Sequence, residues 1–266
     1  FVAAQLGTDP AVTVEDLFLA GILPGLLMIF LLSLYAVYKG RGMARLRKPF
    51  SLREVRAAVA DARWELPLPI GLLAAIYGGL LAASEAAAVT AAYVIVVTLW
   101  VRREMTLTRL ADVMAEAARM VGAILVILGA ALALSNWLVD QEVPTRLFEL
   151  IRAHVVSPLA FLLLLNGFLL IVGMLLDIFA AIVILVPLLV PVAIGYGVHP
   201  VHLGILMLAT LQLGYFTPPV GMNLFIASYR FKTPIATLVR ASAPFFLILL
   251  LAVLLITYIP WLSLVW

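Results

Sequence analysis

Two carboxylates, Glu85 and Asp177, stand inside long apolar runs. Even on an insertion scale a central Asp costs about 2.5 to 3.5 kcal/mol, so each must face protein, water or an ion. Gly173 lies one turn before Asp177. A helix interrupted there would free backbone carbonyls beside a negative charge, a donor set that suits a hard cation. The alternative is a protonated or helix-capping carboxyl at a hairpin tip. For Glu85 the structural reading is stronger: Ser84 and Glu85 begin the second helix of a pair, where an acid complements the positive helix end and a Ser can cap it.

The densest chemical signal is the run from Gln212 to Asn223, QLGYFTPPVGMN. Pro218 and Pro219 remove two amide donors, Pro219 biases Pro218 out of the α region, and Gly214 and Gly221 permit close approach or unusual dihedrals. A helix here is expected to break. Carbonyls freed around Tyr215, Phe216 and Thr217 can ligate sodium, and a half-helix starting near Val220 can attract a carboxylate to its N-terminus. Thr217 and Asn223 add a hydroxyl and an amide. A packed proline kink without ligand is the plainer alternative.

Other candidates are weaker. His199 and His202 are spaced for chelation, but Pro200 lies between them and the pattern reads as an outside turn followed by a helix start. His154 is a lone loop residue. Ser84 sits in no G-x-S-x-G elbow, which argues against an intramembrane hydrolase. Nucleotide-binding glycine motifs are absent, so any pumping draws on a gradient. With no cysteine, disulfides, thiolate metal sites and cysteine nucleophiles are excluded.

The elements that hold these residues follow from composition. Of 266 residues, 65% are hydrophobic and 12% charged, about half the charge of a soluble domain. A net charge of +3 gives no argument for nucleic acid. Stretches free of Asp, Glu, Lys and Arg run from Leu17 to Tyr38, Leu66 to Ser84, Ala86 to Val101, Met120 to Val139, Val155 to Leu176, Ile178 to Tyr229 and Ala241 to Trp266. A bilayer crossing needs roughly 20 apolar residues, and without period-2 alternation only helices satisfy their backbone in lipid. The fold class is therefore all-α integral membrane.

Basic residues cluster in Lys39 to Glu65 (eight), Arg102 to Arg119 (four) and Arg230 to Arg240 (three), against two in Asp140 to His154 and none in Phe1 to Asp16. The bias of Lys and Arg toward the cytoplasm puts the first three segments inside. The expected path is inward over Leu17 to Tyr38, outward over Leu66 to Ala83, inward over Glu85 to Val101 and outward over Met120 to Val139. A re-entrant hairpin then occupies about 155–198, a broken helix about 203–229, and Ala241 to Trp266 crosses last. Two cytoplasmic linkers read as helices lying on the membrane. One has Ser51 and Glu54 as a capping box, a Phe50–Val55 staple, and Leu52, Val55 and Val59 on one face. The other starts at Thr106 and carries Leu107, Leu110, Met114 and Ala117.

Pro24 precedes Tyr38 by fourteen residues, and Pro244 precedes Tyr258 by the same interval, with flanks of opposite charge. Such an echo is expected of inverted repeats. Residues 1–65 would then close a first repeat. Residues 66–139 would form scaffold helices of a second, 140–240 a transport region and 241–266 the final helix.

GYFTPPVGMNLFIA at Gly214 to Ala227 and GMLLDIFAAIVILVPLL at Gly173 to Leu189 resemble the large membrane subunit of TRAP transporters, the tripartite ATP-independent periplasmic systems. AGILPGLL at Ala20 to Leu27, GGLLAASEAAAV at Gly78 to Val89 and VHPVHLG at Val198 to Gly204 extend the resemblance over essentially the whole chain. The family pattern Thr-Pro-Thr-Glu-Ala-Ala is Ala82-Ala83-Ser84-Glu85-Ala86-Ala87 here, and Phe216 replaces a small aliphatic residue.

The resemblance implies a non-enzymatic, elevator-type secondary transporter of the bacterial or archaeal cytoplasmic (inner) membrane, with sodium as coupling ion and no other cofactor. The chain would be its C-terminal portion. Implied partners are a small membrane subunit, a periplasmic substrate-binding protein, an organic anion such as a dicarboxylate or sialic acid, and the lipid bilayer. The expected sodium site comprises Gly173, Asp177, Gly214, Tyr215, Phe216 and Thr217, largely through carbonyls. The expected substrate site comprises Thr217, Pro218, Pro219, Val220, Gly221 and Asn223. Asn166, Ser84 and Glu85 are candidates for structural support. The competing reading is a non-transporting half-permease or membrane scaffold that needs an N-terminal repeat.

Overall fold

In the computed structural model, which describes residues 12–41, 51–176, 178–218 and 221–265, the described residues form helices and turns without strands. In chain order the helices are α1 Val14–Gly40, α2 Leu52–Asp61, α3 Pro67–Tyr77, α4 Ala83–Val96, α5 Leu107–Asp140, α6 Val143–His154, α7 Pro158–Leu175, α8 Ile178–Gly195, α9 Pro200–Gly214, α10 Met222–Phe231, α11 Ile235–Tyr258 and α12 Trp261–Leu264. Among the described residues five segments are long and apolar enough to cross a membrane: α1, Leu107–Ala130 of α5, α7, α8 and α11. The chain is an all-α integral membrane protein.

It divides into two compact units, Gly40–Gly122 and the remainder. In the first, Ser51 caps α2 by accepting from the Glu54 amide at 3.4 Å. The staple partner Phe50 lies outside the described residues. The end of α2 is tied to the segment after α4, where a π-helical turn, Val97–Val101, precedes Arg102. Arg102 Nη2 donates to the Asp61 carbonyl at 2.6 Å and pairs with Glu65 at 2.6 Å, and the Tyr93 hydroxyl donates to the Trp64 carbonyl at 2.6 Å.

Three expectations change. Helix α3 has only 11 residues, short of the expected crossing over Leu66 to Ala83. It stops at Gly78-Gly79, where Gly79 has φ +69°, a conformation open to glycine. The surface helix expected from Thr106 and the crossing over Met120 to Val139 are instead one helix of 34 residues. Ala117-Ala-Arg-Met120 contains neither Gly nor Pro, so nothing interrupts the hydrogen-bond ladder. The expected outside loop Asp140 to His154 holds the 12-residue helix α6, started by Pro144 and packed through Leu147, Phe148 and Ile151.

In the second unit α9 packs most extensively against α7, then α11 and α8. Phe161, Leu165, Leu169, Ala181, Val192, Leu206 and Leu211 are among the buried residues between them. The base of the α7–α8 hairpin is locked by Tyr196, whose ring stacks on Phe161 at 4.2 Å and meets Phe148 edge-on at 5.5 Å. Its hydroxyl donates to the Val155 carbonyl at 2.6 Å. Gly195 is required beside it, because a Cβ there would lie 2.5 Å from the Phe148 ring. Pro24 and Pro244, the echoing prolines, both sit inside continuous helices, and Tyr35 of α1 meets Phe245 of α11 edge-on at 5.1 Å.

Candidate functional site

The two interruptions meet. Helix α7 ends at Leu175, and the chain turns before α8 begins at Ile178. Helix α9 ends at Gly214, and α10 begins only at Met222. Gly173 and Gly214 bring the two ends into backbone contact. A Cβ added to Gly214 would lie 2.6 Å from the Gly173 carbonyl carbon, and one added to Gly173 would lie 2.8 Å from the Leu211 carbonyl oxygen. No side chain fits at either position, which is why both are glycine. Tyr215, first residue past α9, reaches across so that its hydroxyl accepts from the Ile178 amide at 2.8 Å, at the start of α8.

Between α9 and α10 the chain folds back on itself. The Thr217 amide donates to the Gly214 carbonyl at 2.9 Å, and the Asn223 amide to the Tyr215 carbonyl at 3.1 Å. Among the described residues no donor reaches the Phe216 or Thr217 carbonyl. Gly221 is buried with φ +36°, and a Cβ there would lie 2.8 Å from the Thr217 carbonyl oxygen.

Side-chain chemistry separates the roles. The Thr217 hydroxyl donates its proton to the Leu213 carbonyl at 2.8 Å, leaving its lone pairs to act as acceptors, suited to a cation rather than an anion. Helix α10 starts at Met222 behind Gly221, two residues later than expected, and its Asn223 and Leu224 amides are already engaged. An anion at this end would meet the Met222 amide and the Asn223 side chain. Asp177, Pro219 and Val220 lie outside the described residues. Pro218 is exposed at the end of the turn.

Glu85 and Ser84 belong to the other unit. Glu85 closes the start of α4, its Oε2 accepting from the Ala82 amide at 2.9 Å. The cap position is Ala82, so Ser84 lies in the first helical turn. His199 caps α9, its Nδ1 accepting from the Val201 amide at 3.3 Å.

Asn166 is the centre of a buried polar chain that sequence reading did not assemble. Its Nδ2 donates to Thr257 Oγ1 of α11 at 2.8 Å, and its Oδ1 accepts from the Thr210 hydroxyl of α9 at 3.0 Å. Thr257 Oγ1 donates to the Val253 carbonyl at 2.7 Å. His202 continues the chain, with Nδ1 2.5 Å from Ser263 Oγ and Nε2 3.4 Å from the Thr257 carbonyl. The Ser263 hydroxyl in turn donates to the Pro260 carbonyl at 3.2 Å. The bond from Asn166 to Thr210 and the contact of Gly173 with Gly214 are two rungs between the same pair of helices. The signal for them was Asn166 itself, an amide in an otherwise apolar run.

A bundle of apolar helices, two of them interrupted where their backbones touch, is the architecture of a membrane transport protein. Residues 1–262 match the family model for the tripartite ATP-independent periplasmic transporter, DctM component, and the chain belongs to that family. It is a multi-pass protein of the inner membrane and not an enzyme. It is 36% identical over 256 residues to the isethionate TRAP transporter permease protein DctMQ of Oleidesulfovibrio alaskensis, covering 96% of this chain and 40% of that one. The C4-dicarboxylate TRAP transporter large permease protein DctM of Pseudomonas aeruginosa is 36% identical over 254 residues, 95% of this chain and 59% of that one. The DctM of Rhodobacter capsulatus is 34% identical over 254 residues, 95% and 58%. The chain spans about half the length of these relatives.

Proposed function

We propose that this chain forms the C-terminal part of a sodium-coupled TRAP permease that imports an organic anion, such as a dicarboxylate, sialic acid or another carboxylate. The supporting observation is the backbone contact of Gly173 with Gly214, which sets the end of α7 against the break after α9. Sodium needs several oxygen ligands, and this junction offers the Phe216 and Thr217 carbonyls and the Thr217 hydroxyl within one turn of chain. Asp177, by sequence two residues after α7, would supply the negative charge. The anion would sit alongside, toward the start of α10, where Asn223 offers an amide donor. Isethionate in one relative's name is a sulfonate, which widens the cargo from carboxylates to organic anions.

The whole transporter would include a small membrane subunit and a periplasmic binding protein that presents the substrate. An inverted-repeat, elevator-type motion is the mechanism that best uses the matched helices α1 and α11. The test is uptake into proteoliposomes holding the full permease and its partners, with external sodium varied. Thr217→Val should raise the sodium concentration for half-maximal uptake about tenfold, the equivalent of one hydroxyl ligand worth about 1.4 kcal/mol, whereas Thr217→Ser should not. Uptake indifferent to sodium would reject the coupling.

A further inference from the structure

Tyr215 bonds to the starts of two helices at once. Its hydroxyl accepts from the amide of Ile178, the first residue of α8, at 2.8 Å. Its carbonyl accepts from the amide of Asn223, the second residue of α10, at 3.1 Å. Its own backbone ends α9. Tyr93, Tyr196 and Tyr258 donate their hydroxyl protons to carbonyls. Tyr215 is used in the opposite sense, as a helix cap, since the first amides of a helix have no acceptor within it.

A side-chain cap is ordinarily local, contributed by the residue before the helix. This one spans 37 residues of sequence, so besides satisfying an amide it ties the hairpin corner to the broken segment. Ile178 follows Asp177 in sequence, and Phe216 and Thr217 follow Tyr215. The bond therefore has a proposed sodium ligand next to it on each side. Gly173 and Gly214 set how closely the two ends approach, but a touch between glycines does not fix how one end is turned against the other. A directed hydrogen bond does.

We infer, on the sodium reading of this junction, that Tyr215 is a positioning residue for the ion. Its hydroxyl holds the start of α8 against the break in the arrangement that sodium binds, so the ligands are ordered before the ion arrives. Without the hydroxyl that arrangement is one of several, and apparent affinity falls by the fraction of molecules that hold it. One ordinary hydrogen bond makes the factor about fivefold.

Tyr215→Phe keeps the ring and removes the bond. The unfolding midpoint of the full permease in detergent is measured against sodium chloride, with choline chloride holding ionic strength constant, and its rise gives an apparent sodium Kd. Tyr215→Phe should raise that Kd about fivefold. Tyr196→Phe deletes a hydroxyl bond at the base of the same hairpin; it should lower the sodium-free midpoint and leave the Kd unchanged. A purely structural bond moves only the midpoint, whereas a positioning bond moves the Kd. A wild-type midpoint that ignores sodium would reject the sodium reading, and this inference with it. A wild type that responds to sodium, beside a Tyr215→Phe variant with the same Kd, would overturn the inference alone. So would an equal rise in Kd for Tyr196→Phe, or a Tyr215→Phe variant that fails to fold, which would make the bond a structural one.

Discussion

Helix α8 and the junction between α9 and α10 each carry two prolines, and only the junction interrupts the helix. In α8, Pro187 and Pro191 are four residues apart, so each removes one ladder bond on the same side while every intervening amide remains available. Leu185, Leu189, Val190 and Val192 are buried around them, and packing holds the helix through both gaps. Pro24 and Pro244 are tolerated in the same way. At the junction the prolines are adjacent and framed by glycines, of which Gly221 takes a left-handed conformation and Gly214 touches another backbone. The difference teaches that the glycines set this break and the prolines only reinforce it.

Substitutions test that ranking. Gly214→Val should be the most damaging, because its side chain would have to displace the Gly173 backbone; overpacking of this kind costs about 1 to 3 kcal/mol or more. The check is denaturant unfolding in detergent, together with loss of uptake by the assembled transporter. Gly221→Ala should follow, at about 1 to 2 kcal/mol for forcing a Cβ into the left-handed region, read by the same unfolding assay. Pro187→Ala should change stability by less than about 1 kcal/mol, since α8 is already continuous there. Smallest of all, Pro218→Ala should leave hydrogen exchange of the Tyr215 to Thr217 amides unaltered. Strong new protection there would show that proline, not glycine, breaks the helix.

Asn166 offers a separate probe of what keeps α7 and α9 in register. Asn166→Ala takes the acceptor from the buried Thr210 hydroxyl and the donor from Thr257 Oγ1, which keeps its bond to the Val253 carbonyl, and should cost about 1 to 3 kcal/mol by unfolding. Asn166→Leu, which fills the space but still offers the Thr210 hydroxyl no acceptor, should not restore the loss.

Features written in contiguous residues were legible. The all-α membrane class followed from charge-free runs, the break from GYFTPPVG, and the corner after α7 from the interruption near Gly173. His199 reads correctly as a turn-and-start residue because a helix start is a local event. What escaped depends on residues far apart or on missing stop signals. Asn166 and Thr257 are 91 residues apart, and neither hydrophobic period nor motif links them. Continuous α5 was misdivided because its charges suggested a surface segment, although no residue there ends a helix. The six-residue stretch from Gly78 to Ala83 hid the early stop of α3, since Ala and Leu suit both a helix and its absence.

Tyr196 clenches the base of the α7–α8 hairpin. Three aromatic and backbone partners anchor its ring where α6, α7 and α8 converge, while the opposite corner, past Gly173, is steadied by a glycine-to-glycine touch and the Tyr215 hydroxyl. A slide of α9 along its own axis would therefore have to carry the end of α7 with it, since the two helices touch backbone to backbone and share the Asn166–Thr210 bond.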